Sequence, residues 1–208
     1  MKREEKNLLS RQKIMDSAML EFSGKGYGMS SINTICAAGN ISKGILYHYF
    51  KDKDEIYLTC VRECFGALTT FLRESAGQWR EGSAAEGLRR YFEVRQRFFR
   101  ERPMYQRLFR DAVVTPPPHL GDAIKEIKKD FDAFNLEALK DLLNRIDLRP
   151  DVTREEVIEV FQQYQDFINA KYQAAPGTAA DAEAQERGRS RALSILLYGV
   201  AARQKKER

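Results

Sequence analysis

The 208-residue chain is 43% hydrophobic and 31% charged, a composition that allows a sizeable core and excludes a largely disordered protein. Its longest apolar run, at 195–202, is much shorter than the roughly 20 residues that a membrane-spanning helix needs. The amino terminus is charged and no apolar signal segment follows it, so we expect a cytoplasmic protein without membrane contact. The three cysteines show no repeated CxxC spacing, which argues against a disulfide framework or a zinc site.

Positive charge is concentrated near the amino terminus. Residues 1–53 contain nine Lys or Arg and five Asp or Glu, a net charge of +4 out of the +5 of the whole chain. The other three quarters of the chain therefore carry only +1. This distribution predicts that a polyanion contacts the amino-terminal part.

Apolar residues recur at helical spacing along nearly the whole chain, and this predicts an all-α fold of about nine helices. The first helix is predicted to end at a run of glycines, the second to begin at a Ser cap, and the fourth and eighth at capping boxes. A loop is expected at Ala174–Ala184. The predicted helices cover residues 10–24, 31–38, 42–49, 53–77, 84–101, 104–113, 120–145, 153–172 and about 181–205.

Residues 31–50 have the pattern of a helix-turn-helix, an all-α module whose second helix lies in the major groove of DNA. The turn is predicted at Gly39-Asn40, because both residue types tolerate positive φ. In the helix that follows, apolar residues face the core and a polar face remains for DNA. Ile45 fits either face, as a core residue or as a contact to a thymine methyl group. The inward residues are predicted to be Ile41, Leu46 and Phe50.

The candidate DNA contacts share a position at the start of a helix or on the outward face of the third helix. A lysine there can reach phosphate or guanine, a glycine allows close approach of the backbone, and hydroxyl or imidazole groups can bond to phosphate or base. Two lysines before and within the fourth helix are expected to grip a phosphate. The candidates are Ser31, Ser42, Lys43, Gly44, Tyr47, His48, Lys51 and Lys53.

Residues 14–56 resemble the TetR family of bacterial regulators. The most specific part is the stretch Ser-Lys-Gly-x-Leu-Tyr-x-Tyr-Phe-x-x-Lys at 42–53. One departure lies in the turn, where the family usually has Ala-Gly-Val and this chain has Gly39-Asn40-Ile41. We expect this change to alter local stability and to leave the turn intact.

The resemblance implies a DNA-binding domain at 8–68 and a ligand-binding and dimerisation domain at 69–208. It also implies a homodimer through the last two helices, where Gly199, Ala201 and Ala202 would permit close approach, although an intramolecular core remains an alternative. The implied function is a transcriptional regulator, a repressor that a hydrophobic small-molecule effector releases from a palindromic DNA operator. The alternative is a small-molecule-binding protein of the same fold that lacks specific DNA recognition.

An effector pocket is expected among helices four to eight, lined by aromatic side chains that suit a hydrophobic or planar ligand. For each of these aromatic residues the alternative is that its side chain packs in the core and does not contact a ligand. No cofactor, metal site or catalytic residue is predicted, since the chain lacks a nucleophile elbow, a phosphate-binding glycine loop and a metal-ligand cluster. We therefore do not expect an enzyme. The pocket candidates are Phe65, Trp79, Phe98, Phe99, Tyr105, Phe109, Phe131, Phe134 and Tyr164.

Overall fold

The computed structural model describes residues 3–174 and 179–200, and within these ranges the chain is all-α, with ten α-helices and one 3-10 turn. The all-α prediction is confirmed. The helices are α1 (Arg3–Met29), α2 (Ile32–Gly39), α3 (Lys43–Tyr49), α4 (Lys53–Glu74), α5 (Gly77–Arg80), α6 (Ala84–Glu101), α7 (Pro103–Val114), α8 (Gly121–Leu143), α9 (Arg154–Ala174) and α10 (Ala179–Val200), and the 3-10 turn is Pro118–Leu120.

The predicted helix count is low by one because α5, at four residues, is too short to show a helical period. The first helix begins earlier than predicted, at Arg3, and continues through Gly24. Its backbone leaves the helical conformation at Gly26, where φ is 74°. The loop predicted at Ala174–Ala184 is also too long, since α9 includes Ala174 and α10 begins at Ala179. Ala201 and Ala202 lie outside the described residues.

The helix starts at Ser31 and Thr153 have the predicted caps, and α3 has a further cap at Ser42. The Ser31 hydroxyl accepts a hydrogen bond from Thr34 N, and the Ser42 hydroxyl accepts one from Ile45 N. Thr153 and Glu156 form a reciprocal capping box, in which each side chain accepts a hydrogen bond from the other residue's backbone N–H. These bonds satisfy amide groups that lack partners in the first turn, so they fix where each helix begins.

The chain divides into two compact units, which are described separately below. The first unit comprises Met1–Ala67 and Glu101–Lys129, so it contains α1 to α3, most of α4, and α7. Within it α1 packs against both α2 and α7. Phe22 of α1 and Tyr57 of α4 meet edge-on at 5.1 Å between ring centroids, and both are fully buried. These rings are part of the core of the unit that contains the predicted helix-turn-helix.

The second unit comprises Leu68–Arg100 and Asp130–Arg208. Its helices approach closely at Gly87, where an added Cβ would lie 2.6 Å from the carbonyl oxygen of Trp79 and 2.8 Å from Leu142 Cδ2. A contact of 2.6 Å to backbone cannot be relieved by a side-chain rotation, so glycine is required there. The guanidinium of Arg145 donates a 3.0 Å hydrogen bond to the same Trp79 carbonyl.

Within the described part of the chain, none of the helices is both long enough and apolar enough to span a bilayer.

Candidate nucleic-acid interface

The turn between α2 and α3 is built around Asn40, which adopts a left-handed conformation with φ 48° and ψ 53°. Asn is one of the few residues that tolerate this region, so the predicted turn forms although the residue is not glycine. The preceding Gly39 is buried, and an added Cβ there would lie 2.4 Å from Ser17 Oγ and 2.5 Å from Ile41 Cδ1. Gly39 therefore lets the end of α2 lie directly on α1.

Helix α3 separates into a buried face and an exposed face, as the sequence predicts. Leu46 is fully buried and Phe50 is 3% exposed, so they anchor the helix in the first unit. Ile41 is half-buried. Ile45, for which the sequence allowed either a core or an outward position, faces outward, because its side chain is 46% exposed.

The outward face of α3, together with its cap, carries five of the eight candidate contacts. Tyr47 is 52% exposed, and the other four residues are also exposed. At Gly44 an added Cβ would meet nothing closer than the Ser42 hydroxyl at 4.0 Å, so packing within the chain does not require a glycine there. These five residues are Ser42, Lys43, Gly44, Tyr47 and His48.

Ser31, the sixth candidate, lies at the start of α2 in a polar network that joins this helix to α1. The Thr34 hydroxyl donates a 2.6 Å hydrogen bond to the Glu21 carboxylate, which also accepts one from Lys25 Nζ at 3.1 Å. Burial raises the pKa of Glu21, but the hydrogen bonds from Thr34 and Lys25 outweigh it and leave this pKa below its usual value. The ionised carboxylate thus holds α2 on α1 at neutral pH.

Lys51 and Lys53 occupy different environments. The side chain of Lys51 is 85% exposed and forms an ion pair with the neighbouring Asp52, at 3.6 Å. The ammonium of Lys53 instead donates hydrogen bonds to the carbonyl oxygens of Tyr27 and Ser30, at 3.1 and 3.2 Å, and lies 3.9 Å from the centre of the Tyr27 ring. The Lys53 ammonium thus joins the end of α1 to α4, and the phosphate contact predicted for it stays a prediction.

A second cluster that the sequence did not predict lies beside Lys53. The Tyr27 hydroxyl donates a hydrogen bond to Asp54 Oδ1, while His119 Nε2 lies 3.2 Å from Asp54 Oδ2 and 3.3 Å from the Tyr27 hydroxyl. Burial and the Asp54 carboxylate raise the pKa of Tyr27 to about 12. Because His119 is 92 residues from Tyr27 along the chain, no local pattern could have indicated this contact.

Two further side chains outside the predicted set flank α3. The Tyr49 hydroxyl donates a 3.2 Å hydrogen bond to Asn7 Oδ1, and the Arg11 guanidinium lies 5.5 Å from the centre of the Phe50 ring. Both Asn7 and Arg11 are exposed residues of α1. The start of α1 therefore lies beside the end of α3, and Asn7 precedes the first helix that the sequence predicts.

The nine aromatic residues predicted to line an effector pocket are mainly core residues. In the first unit, the rings of Phe65 and Phe109 are 5.1 Å apart, and the Tyr105 hydroxyl donates a 2.7 Å hydrogen bond to Glu63. In the second unit, Trp79 packs edge-on against Phe134 at 6.5 Å. Tyr105 and Tyr164 are half-buried. The seven buried candidates are Phe65, Trp79, Phe98, Phe99, Phe109, Phe131 and Phe134.

The second unit contains a cavity of about 380 Å³ between α6, α8, α9 and α10. None of the nine predicted aromatic residues lines this cavity, whose walls are mostly Leu and Val. The lining of this cavity thus differs from the predicted aromatic one, and the aromatic effector pocket stays a prediction. Helical spacing identifies side chains that face the interior, but it does not distinguish those that face other side chains from those that face a void.

Comparison with known proteins gives a family match in the same region as the helix-turn-helix. A family model described as bacterial regulatory proteins, tetR family, matches residues 14–60. The biofilm operon icaADBC HTH-type negative transcriptional regulator IcaR of Staphylococcus epidermidis is 39% identical over 62 residues, which cover 30% of this chain and about a third (34%) of that relative. The IcaR of Staphylococcus aureus is 27% identical over 143 residues, covering 63% of this chain and 74% of the relative.

The similarity to solved structures extends over most of the chain. The fatty acid degradation regulator FadR from Bacillus halodurans has a TM-score of 0.66 at 14% identity, covering 96% of this chain and 97% of that one. The transcriptional regulator FadR from Bacillus subtilis, solved in complex with stearoyl-CoA, has a TM-score of 0.65 at 16% identity, covering 90% and 97%. At these identities the likeness to solved structures shows the fold alone. The family match covers the amino-terminal part: residues 14–60 carry the sequence of the TetR family of bacterial regulatory proteins.

Proposed function

We propose that this protein is a transcriptional regulator that binds double-stranded DNA through α3. The observation that carries the proposal is the exposed face of α3, where Lys43, Gly44, Tyr47 and His48 lie together on a short helix capped by Ser42. Such a helix, second in a helix-turn-helix, suits the major groove, where lysine and hydroxyl groups reach bases and phosphates. The concentration of positive charge in residues 1–53 supports the same partner.

In this proposal the eight candidate residues have three roles. Lys43, Tyr47 and His48 contact bases or phosphates, and Gly44 allows the helix backbone to approach the groove. Ser31, Ser42 and Lys51 contact phosphates at helix starts, where backbone N–H groups also favour an anion. Lys53 is a positioning residue, because its ammonium is bound to two carbonyl oxygens.

The exposed apolar side chains of α9 and α10 support a homodimer through the last two helices. Phe167 is 63% exposed, Ile195 is 62% exposed and Tyr198 is 70% exposed. Ile195 and Tyr198 are three residues apart on α10 and share a face of that helix, and an exposed apolar face is typical of a protein interface. Two reading helices about 34–36 Å apart would match the half-sites of a palindromic operator one helical turn apart.

We further infer that the regulator is a cytoplasmic, non-enzymatic repressor that a small-molecule effector releases from DNA. The S. aureus and S. epidermidis relatives are named as negative regulators, and the B. subtilis structure contains stearoyl-CoA. Release requires that the effector bind more tightly to an arrangement in which the two reading helices no longer fit adjacent half-sites.

The substitution Gly44→Ala tests the DNA contact without disturbing the fold. Alanine favours helix over glycine, and its Cβ meets no atom within 3.9 Å, so the free energy of unfolding should rise by up to about 1 kcal/mol. Affinity for duplexes selected from a random pool should nevertheless fall about tenfold, because the added methyl group would keep the helix backbone from approaching the DNA closely. Fluorescence anisotropy at several salt concentrations measures this affinity.

Gly66→Ala is the matched control, since Gly66 is exposed on α4 and an added Cβ there meets nothing within 4 Å. It should stabilise the protein to a similar extent and leave DNA affinity unchanged. Equal DNA affinity for Gly44→Ala and Gly66→Ala would contradict the placement of α3 in the groove. The absence of any salt-dependent DNA binding by the parent chain would favour the alternative, a small-molecule-binding protein without DNA recognition.

A further inference from the structure

The cavity in the second unit has the size and depth of a small-molecule site. Its volume of about 380 Å³ lies within the range of roughly 300–1,000 Å³ that is typical of ligand pockets. Walls from α6, α8, α9 and α10 meet around it. Leu88, Leu139 and Leu193 form part of its lining and are each less than a tenth exposed, so the cavity reaches the core of this unit.

The described lining of the cavity is mostly aliphatic. Nine of the eleven lining residues are apolar, and eight of these nine are Leu or Val; Phe161 is the exception. The remaining two are carboxylates, so the described lining side chains offer no hydrogen-bond donor to a polar ring. A flexible alkyl chain can contact such walls along its whole length without leaving a buried polar group unpaired.

The two carboxylates, Asp151 and Glu156, are exposed and lie on the same side of the cavity lining, just before and at the start of α9. The side chain of Arg149 donates to both oxygens of Asp151 and lowers the pKa of that carboxyl. Glu156 accepts hydrogen bonds from the backbone N–H and the hydroxyl of Thr153, at 2.7 and 2.9 Å, which lower its pKa. Both groups are therefore ionised at neutral pH.

Among the described residues that line the cavity, these two carboxylates are the only charged groups. The guanidinium of Arg149 pairs with Asp151 and also donates a 3.2 Å hydrogen bond to the carbonyl of Gly199 in α10. Glu156 accepts its hydrogen bonds from Thr153, which is neutral. A carboxylate or phosphate head group would be repelled there, whereas an ammonium would be attracted and would find free oxygen lone pairs.

We propose that the cavity binds a ligand with an alkyl chain and a cationic amine head group. The chain packs among the aliphatic side chains, and the ammonium contacts Asp151 and Glu156. The inference rests on the proposed function in one respect, that this ligand is the effector of the regulator. The binding site itself stands independently of DNA recognition.

Calorimetry on the full chain with three eight-carbon probes tests the ligand class: octylamine, 1-octanol and octanoate, each below its micelle-forming concentration. We expect affinity to decrease in that order, with octylamine about tenfold or more tighter than octanoate. Glu156→Gln, which keeps the capping box because Gln also serves in it, should reduce the preference for octylamine. If octanoate bound as tightly as octylamine or more tightly, the preference for a cationic head group would be contradicted. Failure of all three probes to bind would overturn the proposed site.

Val160→Trp tests the location. Val160 lines the cavity but is 47% exposed, so a larger side chain there can partly fill the cavity without disrupting the core. Octylamine affinity should fall about tenfold. Gln162→Trp adds the same indole to an exposed position of α9 outside the lining and should leave the affinity unchanged.

A second copy of the chain is the other possible occupant of this cavity. Light scattering on both Trp variants tests for it by measuring the mass of the protein in solution. An unchanged mass for Val160→Trp supports the small-molecule site, and a change in mass that Gln162→Trp does not show would overturn it. The DNA measurements separate this inference from the proposed function. A chain that binds DNA but no octylamine would refute only the ligand site, and one that binds octylamine but no DNA would refute only the regulator.

Discussion

At the residue scale, Lys51 and Lys53 show how two lysines separated by one residue serve different purposes. Lys51 extends into solvent and its partner, Asp52, is itself exposed, so this pair adds little to stability. Lys53 satisfies the carbonyl oxygens of Tyr27 and Ser30, which follow the point where α1 leaves the helical conformation at Gly26. The lysine that ends the family motif is thus bonded to the backbone in this chain, and we propose that it acts as a positioning residue.

This difference predicts opposite outcomes for two alanine substitutions. Lys53→Ala should lower the free energy of unfolding by about 1–2 kcal/mol, because two carbonyl oxygens lose a charged donor. It should leave the slope of DNA affinity against salt concentration nearly unchanged. Lys51→Ala should change stability by less than about 0.5 kcal/mol and reduce the salt slope by about 0.9. Chemical denaturation and anisotropy titrations measure the two quantities, and a reduced salt slope in Lys53→Ala would show that its ammonium contacts DNA.

At the element scale, the turn that joins α2 to α3 depends on one backbone conformation. The backbone N–H of Asn40 bonds to the carbonyl of Ala37, and the N–H of Ile41 bonds to that of Cys36 at 2.9 Å, so the turn satisfies the end of α2. The second bond requires the left-handed conformation at residue 40, because that conformation turns the Ile41 N–H back toward the end of α2. The orientation of α3 relative to α2 is therefore fixed by a residue that does not itself belong to either helix.

Substitutions at this position should follow the cost of a left-handed backbone. Asn40→Ala should destabilise the protein by about 1 kcal/mol, because a Cβ without a compensating polar group disfavours positive φ. Asn40→Gly, which introduces the family's usual residue, should be neutral or stabilising. Thermal and denaturant unfolding measure the difference between the two variants. If both destabilise equally, the Asn40 side chain, rather than the backbone conformation, holds the turn.

The elements also show which parts of the structure could be predicted from sequence. The starts of α2, α3 and α9 were predictable, because Ser31, Ser42 and Thr153 cap helices through bonds that span only three residues. The contacts of His119 were not, because its partners lie far away in the chain. The aliphatic cavity was missed because periodicity identifies a buried face and gives no information about how completely that face is filled.

At the scale of the whole molecule, the proposed dimer depends on the exposed apolar side chains of α9 and α10. One α3 helix reads too few base pairs to distinguish an operator within a genome, so affinity and specificity both depend on two linked copies. A loss of the dimer should therefore weaken DNA binding even when α3 is intact.

Ile195→Asp tests this dependence, since it places a charge among the exposed apolar side chains of α10. We expect light scattering to show a shift from dimer to monomer and DNA affinity to fall about tenfold or more, because a charge without a partner is costly to bury. Met104→Asp, on a 43% exposed apolar residue of α7, is the control and should leave both mass and affinity unchanged. A dimeric mass for Ile195→Asp would show that the subunits associate elsewhere.

The composition of the first unit has a consequence for protein engineering. Residues 1–67 do not form this unit alone, because α7 packs on α1, and Leu108 and Phe109 of α7 are buried. A fragment that ended at Ala67 would expose the surface of α1 that α7 covers. A chimaera built to transfer this DNA-reading module to another sensor would have to include the segment 101–129 as well, although the two segments are not contiguous in the gene.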